Sequence, residues 1–264
     1  MTMDVDQSAR AWWASFFADD LYPESDLEFL DPALTAEMVA AVRSLIPAGR
    51  LVDLACGLGR HSIPLSRAGY TVTGVDLSDG YLSRARDAAN EAGQSIRFIK
   101  SDMRDLSVLF DSSVDAVISL HTSLGFFETS AENSRVLQEA ARVLTPGGLL
   151  LVDVMNRDWF LRQTSEVFAV ETGDYVIRNY DDSRPAVYLH EERFDPLTSR
   201  IQWTVKEVGS AGRRSSADYR VYSVHEIVEQ CHQLGLNVEA VCGGYDLSPF
   251  TVFAEHIICL ARKS

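Results

Sequence analysis

The chain has 264 residues, 46% of them hydrophobic, and a formal net charge of −14, with a mean hydropathy of −0.04. That length supplies one large domain, or one domain with an insertion, around a sizeable core. The charge argues against a nucleic-acid partner, whose affinity rests on neutralised phosphates, and no apolar run approaches the ~20 residues that a membrane span needs.

The start, Met1-Thr-Met-Asp-Val-Asp-Gln7, is acidic and has no apolar stretch, so it does not read as a signal peptide. Residues 9–30 are rich in rings: Trp12, Trp13, Phe16, Phe17, Tyr22 and Phe29. A helix packing its apolar face on the domain accounts for most of them, although an aromatic arm here could also close over a pocket. Tyr22, followed by Pro23 at a turn, is the ring placed nearest a ligand. Apolar residues at 38, 39, 42, 45 and 46 predict a helix over Thr35–Leu45. The cysteines (Cys56, Cys231, Cys242, Cys259) show no C-x-x-C spacing and read as reduced, buried thiols of a cytoplasmic protein.

The organising stretch is Leu51-Val-Asp-Leu-Ala-Cys-Gly-Leu-Gly-Arg-His-Ser62. It reads as buried strand, tight glycine turn and helix start, a layout in which helix amides point at whatever sits in the turn. A dinucleotide site wants G-x-G-x-x-G, but the third position here is Ser62, and the acid at Asp53 is unwelcome beside a pyrophosphate. A nicotinamide oxidoreductase is therefore disfavoured. A carboxylate at that place suits a positively charged ligand such as S-adenosylmethionine. Asp76 ends the next apolar run, Tyr70–Val75, where an acid can accept both hydroxyls of a ribose.

The rhythm then continues. Ser78 caps a helix over 79–92; Ile96–Ile99 is strand 3, followed by Ser101-Asp102-Met103; Val114–Ser119 is strand 4, followed by Leu120-His121. Thr129-Ser-Ala-Glu132 has capping-box spacing and opens a helix to about Leu144, and Pro146-Gly-Gly148 turns the chain into strand 5, Leu149–Val154. Strands alternating with helices predict a parallel sheet with helices on both faces.

After residue 156 the pattern changes to short alternating strands at 186–193, 200–207 and 217–222, with Ile201, Trp203 and Val205 on one face. This predicts an antiparallel insert with one face free to cover something. Glu191-Glu192 reads as a solvated strand edge and Arg213-Arg214 as turn decoration. Ser223-Val-His-Glu226 caps a helix to Leu234, and Val238–Gly243 with His256–Arg262 form an antiparallel pair. The expected division is an aromatic arm at 1–46, a core at 47–156 and 223–264, and the insert at 157–222.

Taken together, Val52-Asp-Leu-Ala-Cys-Gly-Leu-Gly59, Gly74-Val-Asp-Leu-Ser78, Lys100-Ser-Asp-Met103, Val114–Ser119 and Leu144-Thr-Pro-Gly-Gly-Leu149 resemble, in order, the class I S-adenosylmethionine-dependent methyltransferases. The resemblance implies a Rossmann-like, seven-stranded α/β sheet with an antiparallel last strand. The aromatic start, Arg60-His61, Thr122-Ser-Leu-Gly-Phe-Phe127 and the Phe194-Asp-Pro-Leu-Thr198 turn look like a bacterial branch with an antiparallel β lid, acting on small molecules.

Carried over by position, the resemblance implies that Gly57 and Gly59 admit the methionine part, with Asp53 near its amino group and Arg60 beside the turn. Asp76 would bind the ribose, Leu77 pack on adenine, Asp102 accept from the adenine amino group and Met103 cover it. Ser119 and Leu120 would end strand 4 beside the sulfonium. His121, just past strand 4, is the candidate general base; His61 could orient cofactor, and His190, Tyr219 and Tyr222 could face the acceptor. No metal-ligand spacing is legible, and Thr122-Ser123-Leu-Gly125 is not a nucleophile elbow. The expected activity is methyl transfer to oxygen or nitrogen of a small organic acceptor, releasing S-adenosylhomocysteine, by a monomer or homodimer. The other class consistent with these motifs is a protein that binds the cofactor but no longer methylates, serving a cyclisation, rearrangement or sensing role.

Overall fold

The computed structural model describes residues 12–13, 31–167, 175–181, 187–209 and 214–264, with 163–167 and 175–181 described as backbone alone. Tyr22 and most of the aromatic arm lie outside the described residues.

The chain alternates as expected through α1 (Pro32–Leu45), β1 (Arg50–Leu54), α2 (Ser62–Arg67), β2 (Thr71–Asp76), α3 (Asp79–Glu91), β3 (Arg97–Lys100), β4 (Val114–Ser119), α4 (Ser130–Val143) and β5 (Leu144–Met155). Local chemistry sets the helix starts. Asp31 accepts from the Ala33 amide at 2.7 Å, and Ser78 Oγ accepts from the Tyr81 amide at 3.2 Å. Thr129 and Glu132 close a reciprocal capping box on α4. After the second sheet come α6 (Val224–Gln233), β10 (Leu236–Cys242) and β11 (His256–Lys263).

These strands form a seven-stranded sheet in the order β10-β11-β5-β4-β1-β2-β3. β1 to β5 run parallel where they pair, and β11 lies antiparallel to both β5 and β10. Successive side chains alternate between two cores. Val52, Val117 and Val152 face one with Leu137 and Ile227; Leu51, Ile118 and Leu151 face the other with Met38 and Leu65. Each such fully buried aliphatic side chain contributes roughly 1.5–3 kcal/mol of transfer free energy.

The second sheet contains β6 (Tyr175–Asp181), β7 (Tyr188–Asp195), β8 (Arg200–Glu207) and β9 (Arg214–Arg220), all antiparallel in that order. It has one strand more than the alternation predicts. That strand, β6, corrects the reading of Glu191-Glu192: β7 is an interior strand, not an edge. Glu192 is half-buried, and burial, with the nearby Glu255 charge, pushes its carboxyl up to about 7. Arg214 is likewise the first residue of β9 and not part of a turn. The sheet packs Phe194, Ile201 and Tyr219 on Phe160 of α5 (Arg157–Val167), and this cluster reaches Leu58 and Phe126 of the first sheet's loops.

Two arginines tie the sheets together. The Arg220 amide donates to the Gly125 carbonyl at 2.8 Å, and Arg200 donates to the Phe127 carbonyl at 2.8 Å. Gly125 has φ +123°, and a Cβ there would collide with the Arg220 carbonyl. Only glycine fits.

Candidate active site

At the carboxyl edge of β1, β2 and β4 lies a pocket open to solvent on one side. Parallel α/β sheets place ligands at this edge. Its walls come from the glycine turn, from Asp76-Leu77 after β2, from Asp102-Met103 after β3, and from Leu120-His121 after β4; Trp13, Phe126 and Phe127 close the remaining side.

The turn and the β2 acid are one device. Gly57, at φ +52°, donates its amide to Asp76 Oδ2 at 2.8 Å, while the Ser78 amide donates to Oδ1 at 2.8 Å. Burial raises the Asp76 carboxyl above its ordinary range, and those amide bonds oppose the rise. Each oxygen keeps a further lone pair for a ligand hydroxyl. Gly59 faces the other way. A Cβ on it would sit 3.2 Å from Phe98 and 3.4 Å from Ala85, so it lets the turn pack on α3 and does not line the pocket. Arg60 lines the pocket and reaches Thr35 Oγ1 at 3.4 Å.

Asp53 lies behind the turn. It is 1% exposed, accepts from Ser62 Oγ at 2.6 Å, and is pushed up to about 7 by burial, against Ser62 and the Arg60 charge. It is outside the pocket wall, as is Ser119, whose buried Oγ finds no hydrogen-bond partner among the described residues. Leu77, 38% exposed, and buried Met103 both add apolar surface to the pocket wall. Asp102 is held from both oxygens by Arg104, with Nη2 to Oδ2 at 2.6 Å and Nε to Oδ1 at 3.0 Å. The same guanidinium reaches Glu132 at 2.7 Å and lies 4.0 Å from the Phe127 ring centroid and 5.9 Å from that of Trp13.

His121 does line the pocket. It and Thr122 both carry left-handed backbone, φ +55° and +57°. The His121 amide donates to Asp153 Oδ2 at 2.9 Å, and the Tyr245 hydroxyl donates to the same oxygen at 2.5 Å. His256 Nδ1 pairs with Asp153 Oδ1 at 2.8 Å. His61 is buried against Met38, with Nε2 3.4 Å from Sδ; burial, then the charges on Arg60 and His121, keep it well below the usual histidine range.

Three expected acceptor residues are placed elsewhere. His190 accepts from Trp203 Nε1 at 3.2 Å within the second sheet, Tyr219 packs edge-on against Phe126, and Tyr222 belongs to the main core. Sequence reasoning missed Arg104, Phe126, Phe127 and Asp153. The last carried one signal: an acid inside the otherwise apolar Leu149–Val154 run. Among the described residues no group of three His, Cys, Asp or Glu could hold a metal ion, and no helix is long and apolar enough to cross a membrane.

The lining suits an adenosyl-amino-acid ligand: the Asp76 and Asp102 carboxylates on one side, with apolar and aromatic walls beside them. A family profile described as a methyltransferase domain matches residues 51–148. The protein named "Putative methyltransferase YqeM" of Bacillus subtilis (strain 168) is 30% identical over 230 residues, 84% of this chain and 87% of that one. Among solved structures, the CcbJ methyltransferase of Streptomyces caelestis superposes with a TM-score of 0.76 at 20% identity, covering 90% of this chain and 99% of the other. CalS10 of Micromonospora echinaspora, an amino pentose methyltransferase solved with S-adenosylmethionine bound, gives a TM-score of 0.59 at 21% identity over 100% and 98% of the two chains.

Proposed function

Because the chain belongs to the class I S-adenosylmethionine-dependent methyltransferases, we propose that it methylates an oxygen or nitrogen of a small organic acceptor held beneath the second sheet. S-adenosylmethionine is its cofactor; when bound, its sulfonium supplies an activated methyl carbon, and the remaining work falls to the protein.

The observation that carries this reading is the Gly57 amide bonded to Asp76 at 2.8 Å. It joins the turn after β1 to the acid ending β2, so one rigid unit can hold both the methionine part and the ribose. Asp76 then binds the ribose hydroxyls, Leu77 and Met103 hold the adenine between apolar faces, and Asp102, oriented by Arg104, accepts from its amino group. Gly57, Arg60 and Leu120 flank the amino-acid end. Gly59, Asp53 and Ser119 act from behind the wall: Gly59 packs the turn on α3, and Asp53 holds Ser62 at the start of α2.

In-line displacement needs alignment and exclusion of water, and positioning of this kind lowers barriers by about 7–11 kcal/mol at best. Trp13, Phe126 and Phe127 supply the dry wall. We assign the insert at 157–222 as the acceptor lid and the 1–46 arm as its complement. His121 takes the proton when the acceptor is a hydroxyl; an amine need only be presented neutral.

The test is calorimetric titration with S-adenosylmethionine, S-adenosylhomocysteine and NAD, followed by mass analysis of candidate hydroxyl and amine acceptors. Binding of the two adenosyl ligands and gain of one methyl group by an acceptor support the reading. Binding without methyl transfer to any acceptor, or a rearranged product of unchanged mass, would turn it toward a protein that uses the cofactor differently.

A further inference from the structure

Asp153 is not explained by cofactor binding. It is wholly buried, lies outside the pocket wall, and yet collects donors from three separate parts of the chain: the His121 amide, the Tyr245 hydroxyl and His256 Nδ1. We propose that Asp153 is a positioning residue that holds the His121–Thr122 turn in its left-handed form and thereby sets the pocket wall facing the transferred methyl group. The inference rests on the reading of that pocket as the cofactor site.

The backbone supplies the first argument. Left-handed φ is disfavoured for any residue with a Cβ and most for a β-branched one such as Thr122. Two in succession, at φ +55° and +57°, persist only where the surroundings over-determine them. The amide of the first strained residue is the one that Asp153 binds.

Electrostatics supply the second. Burial alone would raise the Asp153 carboxyl, but the charge and hydrogen bond of His256 and the bond from Tyr245 hold it below its ordinary value. His121 lies close enough to add to that effect, while His61 and Arg60 face the same cluster from the glycine turn. An ionised acid accepting from three donors leaves none unmatched. An asparagine in its place would turn an NH₂ group toward at least one of them, so the isosteric change breaks the arrangement without changing its volume.

A carboxylate that merely pins β11 to β5 would predict the same contacts, and the two roles separate experimentally. Wild-type protein, Asp153→Asn, Tyr245→Phe, Thr122→Gly and the Asp153→Asn/Thr122→Gly double variant are titrated with S-adenosylmethionine and S-adenosylhomocysteine, and each is melted without ligand. Asp153→Asn is expected to weaken both affinities about tenfold, and Tyr245→Phe about threefold. Adding Thr122→Gly to Asp153→Asn should recover most of that loss, because glycine takes left-handed φ without strain.

A role confined to β11 would lower the melting temperature, leave the affinities of the folded variants within about twofold of wild type and give Thr122→Gly nothing to rescue; that result overturns the proposal. Should Asp153→Asn fail to fold, Tyr245→Phe with and without Thr122→Gly decides by the same criterion. Wild-type protein that binds neither adenosyl ligand would overturn the functional reading, and this inference with it. Binding by wild type with unmoved variants overturns this inference alone.

Discussion

Two buried carboxylates near one sheet edge stand in opposite situations. Asp53 has one hydroxyl donor at 2.6 Å, too little to offset its burial, and sits at about 7. Asp153 has three donors and sits low. Their contributions to stability therefore have opposite signs with pH. Asp53, raised in the folded state, favours folding fully below the unfolded value of about 3.9 and loses that contribution as pH climbs toward 7. Asp153, lowered, contributes above the unfolded value and loses it on acidification. Asp53→Asn keeps an acceptor for Ser62 and removes the buried charge, so it should raise stability at pH 8 by on the order of 4 kcal/mol and at pH 5 by less than half as much. Melting at the two pH values checks this; equal shifts at both would refute the electrostatic account. Asp76→Ala removes the acceptor of the Gly57 amide as well as the proposed ribose contact. It should cost about 1–3 kcal/mol in the free protein and weaken S-adenosylmethionine binding at least about tenfold, by calorimetry. Asp76 was legible in sequence because it ends a strand beside a glycine turn. Asp153 was not: its donors stand 32, 92 and 103 residues away, and no local pattern reports such distances.

Elements were legible wherever periodicity and caps agreed. The Thr129–Glu132 spacing located α4 to its first residue, and the bonds are present: Glu132 amide to Thr129 Oγ1 at 3.2 Å and Thr129 amide to Glu132 Oε2 at 3.0 Å. Thr129→Ala should cost about 1 kcal/mol, read as a lower denaturant midpoint. β6 went unread because Tyr175-Val-Ile-Arg-Asn-Tyr-Asp181 does not alternate cleanly between apolar and polar residues. The second sheet's attachment was equally invisible, since Gly125 shows its need only once the Arg220 carbonyl lies against it. Gly125→Ala must move β9 or twist the Phe126-Phe127 wall. It should destabilise by about 2–4 kcal/mol and weaken cofactor binding together. A stability loss with unchanged affinity would show that sheet attachment and pocket are independent.

At the scale of the whole molecule, a formal charge of −14 over 264 residues means that the folded state confines like charges which the unfolded chain can separate. Raising sodium chloride from low to physiological strength should raise the melting temperature and then level off as the Debye length falls to about 8 Å. Saturating cofactor should add about 2.7 kcal/mol at 100 times its dissociation constant. A further consequence follows from the placement of β11. It comes after every other strand of its sheet in the chain, yet it lies between β5 and β10. As the polypeptide emerges during synthesis, β5 must therefore wait with an unpaired margin, and β10 is made before the neighbour it will bond to. The same late segment brings His256 to Asp153. Nascent chains that already contain every pocket-lining residue would thus still lack both the complete sheet and the His256 contact to Asp153, so the pocket edge is finished only after its own residues have been made.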